Sequence, residues 1–410
     1  MVRENNRHRG PTRRDYVKYG GVAIGGGLLA GCTDDSQSES AATETTGDSP
    51  ATTTPEDGSY SVTIEPAGEV KFESVPKTWA AAGGAWVDMG VALGVEDGIV
   101  SLGSYPAPQM FYEGYDVSLN RDSDVSYWRD GGYDKEIFYE LDADIHFLDP
   151  IGIQQWDENW DEEDIEEIST AVGPVCGNNC RRRREFRREY DYPLYPLYEA
   201  FEKVAAVFQR EERYRAFAEL HEEVMADVKA RIPSEGDRTA IGLINGGSNP
   251  QEGVFYPMDV VADGYEMKTY RDLGAVSAFK NTDASGSDAD YEYLLEVDPE
   301  VIIVHWGIGG TSEHGATFDH ETFAEQWLKP MGNHPVGKQL TAVKEERILP
   351  GAWGEQGPIV NLFQTELTAQ QLYPDEFGAF DPERYPDLPA DERLFDRQRV
   401  ADIINGDVRA

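Results

Sequence analysis

Residues 136–149 read EIFYELDADIHFLD, and residues 292–305, 156 positions later, read EYLLEVDPEVIIVH. In register, both copies carry Glu at the first and fifth places and Asp at the seventh. The next two positions are Ala143 and Asp144 in one copy, Pro299 and Glu300 in the other. Each copy opens with a helix-like mixture of polar and apolar residues, turns at its Asp, and closes on a strand-like run, 145–148 or 301–304. Two helix–turn–strand units so far apart predict two similar α/β lobes. Two lobes imply a cleft between them, and ligands usually bind in clefts.

The rest of the chain fits around these units. Residues 75–104, VPKTWAAAGGAWVDMGVALGVEDGIVSLGS, predict strand, glycine turn, helix and strand, the opening of the first lobe. The acidic run 157–167 reads as a solvated helix face. Phe201, Val204, Ala205, Phe208, Tyr214, Phe217, Leu220, Val224 and Val228 recur near period 3.6, with no Pro or Gly between 197 and 232. This predicts one helix of up to about 50 Å. A strand from Arg238, a second at 347–349 and an apolar helix over 359–373 complete the second lobe. The expected divisions are 60–194, a connecting helix 195–232, and 233–410.

Residues 12–18, TRRDYVK, precede an 11-residue apolar run and then LAGC, ending at Cys32. Paired arginines, a short apolar run and small residues before a cysteine make a twin-arginine signal joined to a lipobox. The run is too short to span a bilayer, which takes about 20 residues. The expectation is export, cleavage after residue 31 and a lipid on Cys32, at the outer face of the cell membrane. Residues 32–59 are rich in Thr, Ser, Ala, Asp and Glu and predict a disordered tether.

The formal net charge is −41, although residues 1–31 are basic. Lysine is scarce beside arginine, 11 against 25. Acidity spread along a chain with ordinary apolar content suits very high salt, where screening removes self-repulsion. It disfavours nucleic acid and anionic membrane surfaces as partners. Cys176 and Cys180 enclose GNN; a disulfide suits an exported protein, and a metal pair is the competing reading.

The order lobe, long helix, lobe resembles the helical-hinge solute-binding proteins of ABC importers, which carry ferric siderophores, cobalamin and haem. The paired echo, LTAVKEERILPG at 340–351 and QLYPDEFG at 371–378 carry the resemblance, over about residues 70–378. The signal segment and acidity fit its haloarchaeal lipoprotein type. The resemblance implies a class III periplasmic-binding-protein fold, two Rossmann-like lobes joined by one long helix, and a monomer that performs no chemistry. It also implies that Glu136 and Glu292 reach arginines on a permease that works with ATPase subunits. Two separated carboxylates at helix starts can fix a docking orientation; the helix dipole alone would also favour them there.

The cleft should be lined by strand-end loops. Candidates are Trp86, Tyr105 and Tyr112 from the first lobe, and Asn245, Arg271, His305, Trp306 and Trp353 from the second. Each aromatic alone fits core packing better than ligand contact. Six of the 25 arginines fall within residues 181–188. Arg181, Arg183 and Arg184 suit a planar, oxygen-rich anion, which favours an iron(III)–siderophore complex as ligand. Balance against the acids at 161–167 is the alternative. Cobalamin, haem, a divalent ion held by His305, His314, Asp319 and His320, or a surface sensor without a transporter are the other readings. No nucleophile elbow, phosphate loop or HExxH motif points to an enzyme, and no resident cofactor or metal is expected.

Overall fold

In the computed structural model, the described residues are 58–119, 125–129, 132–181, 192–279, 289–309 and 318–408. The signal segment, Cys32, most of the tether, Arg183, Arg184 and His314 lie outside them.

A hairpin of β1 (Tyr60–Ile64) and β2 (Gly68–Phe72) opens the described chain, with Tyr60 opposite Phe72 and their rings stacked at 5.2 Å. The segment 75–104 folds as expected into β3 (Trp79–Ala81), α1 (Gly84–Ala92) and β4 (Ile99–Ser101). A short antiparallel ribbon, β5 (Trp128–Arg129) and β6 (Gly132–Tyr133), leads to α2 (Lys135–Leu141), β7 (His146–Phe147), α3 (Pro150–Trp156) and α4 (Glu162–Ala171). β4, β3 and β7 form a parallel sheet in that order. Only the second half of the acidic run opens a helix, α4, capped by a box between Asp161 and Asp164, with Ile168 turned into the core; 157–160 form a turn in which Asp157 and Trp160 are buried.

The connecting segment differs from expectation. It is two helices, α5 (Leu197–Phe208) and α6 (Glu211–Arg231), separated at Gln209, whose φ is +51°. The Arg210 N–H turns back to the Ala205 carbonyl at 2.8 Å, and Glu211 and Glu212 suit the new helix start. Phe201 of α5 meets Tyr214 and Phe217 of α6 edge-on, so one apolar spacing served two helices lying against each other. The connection remains helical; α6, with 21 residues, is about 31 Å long.

The second lobe contains β8 (Ala240–Asn245), α7 (Lys268–Asp272), β9 (Val276–Ser277), α8 (Tyr291–Val297) and β10 (Val301–His305). Next, α9 (His320–Phe323) passes through a π-helical turn into α10 (Lys329–Asn333), followed by α11 (Thr341–Lys344) and β11 (Ile348–Pro350). Then come α12 (Pro358–Leu372), α13 (Pro374–Phe377) and α14 (Arg397–Asn405). The sheet is parallel, ordered β11-β10-β8-β9. All five residues of β10 are buried, as a parallel strand covered on both faces requires.

The sequence echo is a backbone echo. α2 and α8 are both seven residues long, with N-caps Asp134 and Asp290 whose side chains accept backbone N–H groups. Both end at an aspartate in the left-handed region, Asp142 at φ +45° and Asp298 at φ +43°. Phe138 and Leu294, in register, are fully buried against their own sheets' clusters.

A larger apolar cluster spans both sheets, joining Trp79, Phe147, Phe201, Phe208, Leu243, Ile303 and Ile359. Through it runs α12, buried along its whole length. Its first N–H groups need acceptors. Asp88 of α1 supplies one carboxylate oxygen, accepting from Ile359 at 3.0 Å and Val360 at 3.1 Å, while the other takes the Tyr112 hydroxyl at 2.9 Å. Asp88→Ala would strand these donors and should cost about 3 kcal/mol. Burial pushes the Asp88 carboxyl up to about 7, against the pull of its donors. A raised acid contributes stability that is complete below its ordinary 3.8 and lost as pH rises through about 7. Urea unfolding should therefore show a larger gap between wild type and variant at pH 5 than at pH 8.

Candidate functional site

The C-terminal ends of β3, β4 and β7 face the loop that follows β11 across a cavity of about 230 Å³. Its walls include Gly83 after β3, Tyr105 after β4, Asp149 after β7 and Arg181, met by Tyr265 and Glu355 from the second lobe. Two larger hollows, of about 600 and 740 Å³, border α7, the second also the connecting helices, and touch none of these strand ends. Gly84 lets the first-lobe loops close up: a Cβ there would lie 2.5 Å from the Tyr105 carbonyl oxygen.

Arg181 ties the lobes together. Its backbone carbonyl accepts the Glu266 N–H at 3.0 Å, and the neighbouring Cys180 carbonyl accepts the Tyr265 N–H at 3.0 Å. Its guanidinium donates twice to Glu266, at 3.2 and 3.1 Å, and once to Glu355 at 3.1 Å. Tyr265 donates to the second Glu355 oxygen at 2.7 Å, and His305 Nε2 lies 3.1 Å from Glu266. Burial opposes the Arg181 charge, but Glu266 and Glu355 outweigh it and raise its pKa. Burial likewise opposes the Glu266 charge, yet Arg181 and His305 hold this carboxyl well below the carboxylate range. Glu355, with a single Arg181 contact, is not so compensated, and burial raises it.

Aromatic rings pack around Arg181, of which Tyr105 and Trp86 line the cavity and Trp306 and Trp353 lie beside it. The Arg181 guanidinium lies 4.7 Å from the Trp306 ring centre. Trp306 meets Tyr105 edge-on at 5.7 Å and Trp353 at 4.6 Å. Trp306 follows β10 directly, at φ +74°, and Tyr105 takes φ +58°. Gly354 makes room, since a Cβ there would sit 2.0 Å from the Trp306 ring. Trp86 reaches the cavity with its ring stacked on Phe147 at 5.4 Å.

The remaining candidates are placed elsewhere. Tyr112 is fully buried beneath α12 on Asp88, because that carboxylate captures its hydroxyl. Arg271 donates to the Ala262 carbonyl and, at 2.6 Å, to that of Gly264; it borders the two larger hollows. Asn245 accepts the Gly247 N–H at 2.8 Å in a turn. His305 sits behind Glu266, with Tyr270 on its other nitrogen at 3.3 Å. Asp319 caps α9, and among the described residues no three His, Cys, Asp or Glu side chains form a metal-binding group. Cys176 and Cys180 are both buried and no disulfide joins them; burial pushes the Cys176 thiol up to about 12. Arg181 pairs with Glu266 and Glu355 rather than with the acids at 161–167. Sequence reading missed Tyr133, Asp149, Trp156, Asn179, Tyr265, Glu266 and Glu355. Glu136 and Glu292 are exposed in the first turns of α2 and α8.

The family model described as periplasmic binding protein matches residues 80–350. The chain belongs to the periplasmic binding protein family. A periplasmic binding protein from Veillonella parvula shares its fold, at 13% identity and a TM-score of 0.50, covering 76% of this chain and 97% of that one. Also similar is the triscatecholate siderophore binding protein FeuA from Bacillus subtilis, solved with ferri-bacillibactin; identity is 18%, coverage 70% and 88%, TM-score 0.45. An ABC-type Fe3+-hydroxamate transport system protein from Saccharomonospora viridis is 18% identical, with coverage of 73% and 94% and a TM-score of 0.46. No curated protein matches the chain. Periplasmic binding proteins are extracytoplasmic solute-binding proteins rather than enzymes, and related members work with ABC-transporter permeases. No helix among the described residues is long and apolar enough to cross a membrane.

Proposed function

We propose that this periplasmic binding protein captures an iron(III) chelate of the siderophore class between its lobes and delivers it to an ABC-type permease. The observation that carries the reading is Arg181, which lines the cavity with its guanidinium over the neighbouring Trp306 ring. A planar cation on an aromatic face suits the flat, oxygen-rich anionic groups of such chelates. Glu355 is the partner that gives way: it holds Arg181 through one contact, and burial disfavours its charge. A chelate oxygen takes its place while Glu266 keeps its two-point grip. At about 230 Å³ the cavity is smaller than the roughly 300–1,000 Å³ of most ligand sites, so the lobes part to admit the chelate. The protein is exported by the twin-arginine route, lipid-anchored at Cys32, monomeric, and adapted to molar salt.

Trp306→Ala should weaken binding of a ferric carboxylate or catecholate chelate about 10- to 100-fold, the loss of one aromatic anchor. Equilibrium dialysis in molar salt reads this directly. Undiminished affinity in the variant would remove the site from this wall, and preference for cobalamin or haem would replace the ligand class.

A further inference from the structure

The family match ends at residue 350, yet the chain continues through α12 into a segment, 379–405, that returns across the connecting helices. Tyr385 donates to the Phe363 carbonyl of α12 at 2.9 Å. Glu366, buried in the middle of α12, accepts the Leu394 N–H at 2.7 Å and pairs with Arg397. The Arg397 guanidinium lies 4.0 Å from the Phe363 ring centre and 3.6 Å from that of Phe395. Beyond it, α14 buries Val400, Ile403 and Ile404 and packs on α6 and α1. Arg399 pairs with Glu219, at 3.3 Å, and Glu223 of α6. Arg213 of α6 closes the junction. It donates to the Leu93 carbonyl at the end of α1 and lies where a Cβ on Gly94 or Gly406 would strike it.

We propose that residues 379–405 are a brace that fixes α12 and α6 to the first lobe and so limits how far the lobes part. The middle of α12 is held at Glu366 and its start at Asp88, and the loop just before it carries Glu355 into the cavity. The brace therefore sets the position of a cavity wall as well as of the hinge. It acts whatever the ligand is.

The test is amide hydrogen exchange on the full chain without ligand, comparing wild type with Arg397→Met. A second variant, Val400→Ala with Ile403→Ala, trims the packed face without baring Glu366, should the first fail to fold. Opening of the braced elements predicts exchange roughly tenfold faster in 211–231 and 355–361, with β8 and β10 unchanged. Acceleration confined to 379–405 would show a tail that frays without consequence, and equal acceleration everywhere would show general destabilisation. Either result overturns the brace.

Discussion

Arg181→Met should lower the unfolding free energy by about 3–5 kcal/mol, the cost of breaking a buried ion pair from one side. Glu266 is fully buried, and Glu355, though it borders the cavity, is nearly so, so both carboxylates are poorly solvated once the guanidinium is gone. The pH dependence gives the sign. Glu266 is held below its unfolded value, so its contribution is present above the ordinary 4.5 and lost as pH falls through that value and below. In the variant the same carboxyls become buried acids that resist ionisation. Denaturant unfolding should therefore show a large deficit at pH 7 that narrows towards pH 4. Adding Glu266→Gln should recover part of the loss at pH 7. A single substitution with an unchanged midpoint at pH 7 would mean that the Arg181 network does not hold the lobes.

The double change Glu136→Gln and Glu292→Gln should abolish most chelate uptake by whole cells while leaving binding by the purified protein unchanged. Both glutamates are exposed on matching helix starts, one per lobe, so their removal spares the core. Charge-assisted pairs to arginines on a permease would be lost on both sides at once. A helix-dipole role alone predicts only a small stability change, a few tenths to about 1 kcal/mol, and normal uptake. Uptake at the wild-type rate would thus leave binding intact and remove permease delivery through these residues.

What could be read from sequence was what is decided locally. The paired α2 and α8 units were legible because a capping aspartate, a seven-residue amphipathic helix and a left-handed aspartate all follow from neighbours in the chain. The break at Gln209 was not, because glutamine carries no glycine-like signal and the apolar spacing runs through it. The position of Trp306, directly after a strand and before a glycine-rich loop, was legible from the sequence. Glu266 and Glu355 were not: in a chain with 77 acidic residues nothing marks them, and they lie 85 and 174 positions from the arginine that gives them meaning. Tyr112 was misplaced for the same reason. Its partner Asp88 is a buried carboxylate whose role depends on α12, more than 270 residues away.

The most direct measurement is a titration of the portion from Tyr60 onward with ferric carboxylate, catecholate and hydroxamate chelates in molar salt, following tryptophan fluorescence. Of the eight tryptophans, Trp86 and Trp156 line the cavity and Trp306 and Trp353 pack beside it, so a bound chelate quenches part of the emission. The iron-chelate reading predicts saturable quenching by one chelate class at one equivalent per chain. A folded protein that answers none of them, or answers only cobalamin, haem or a bare divalent ion, would contradict it.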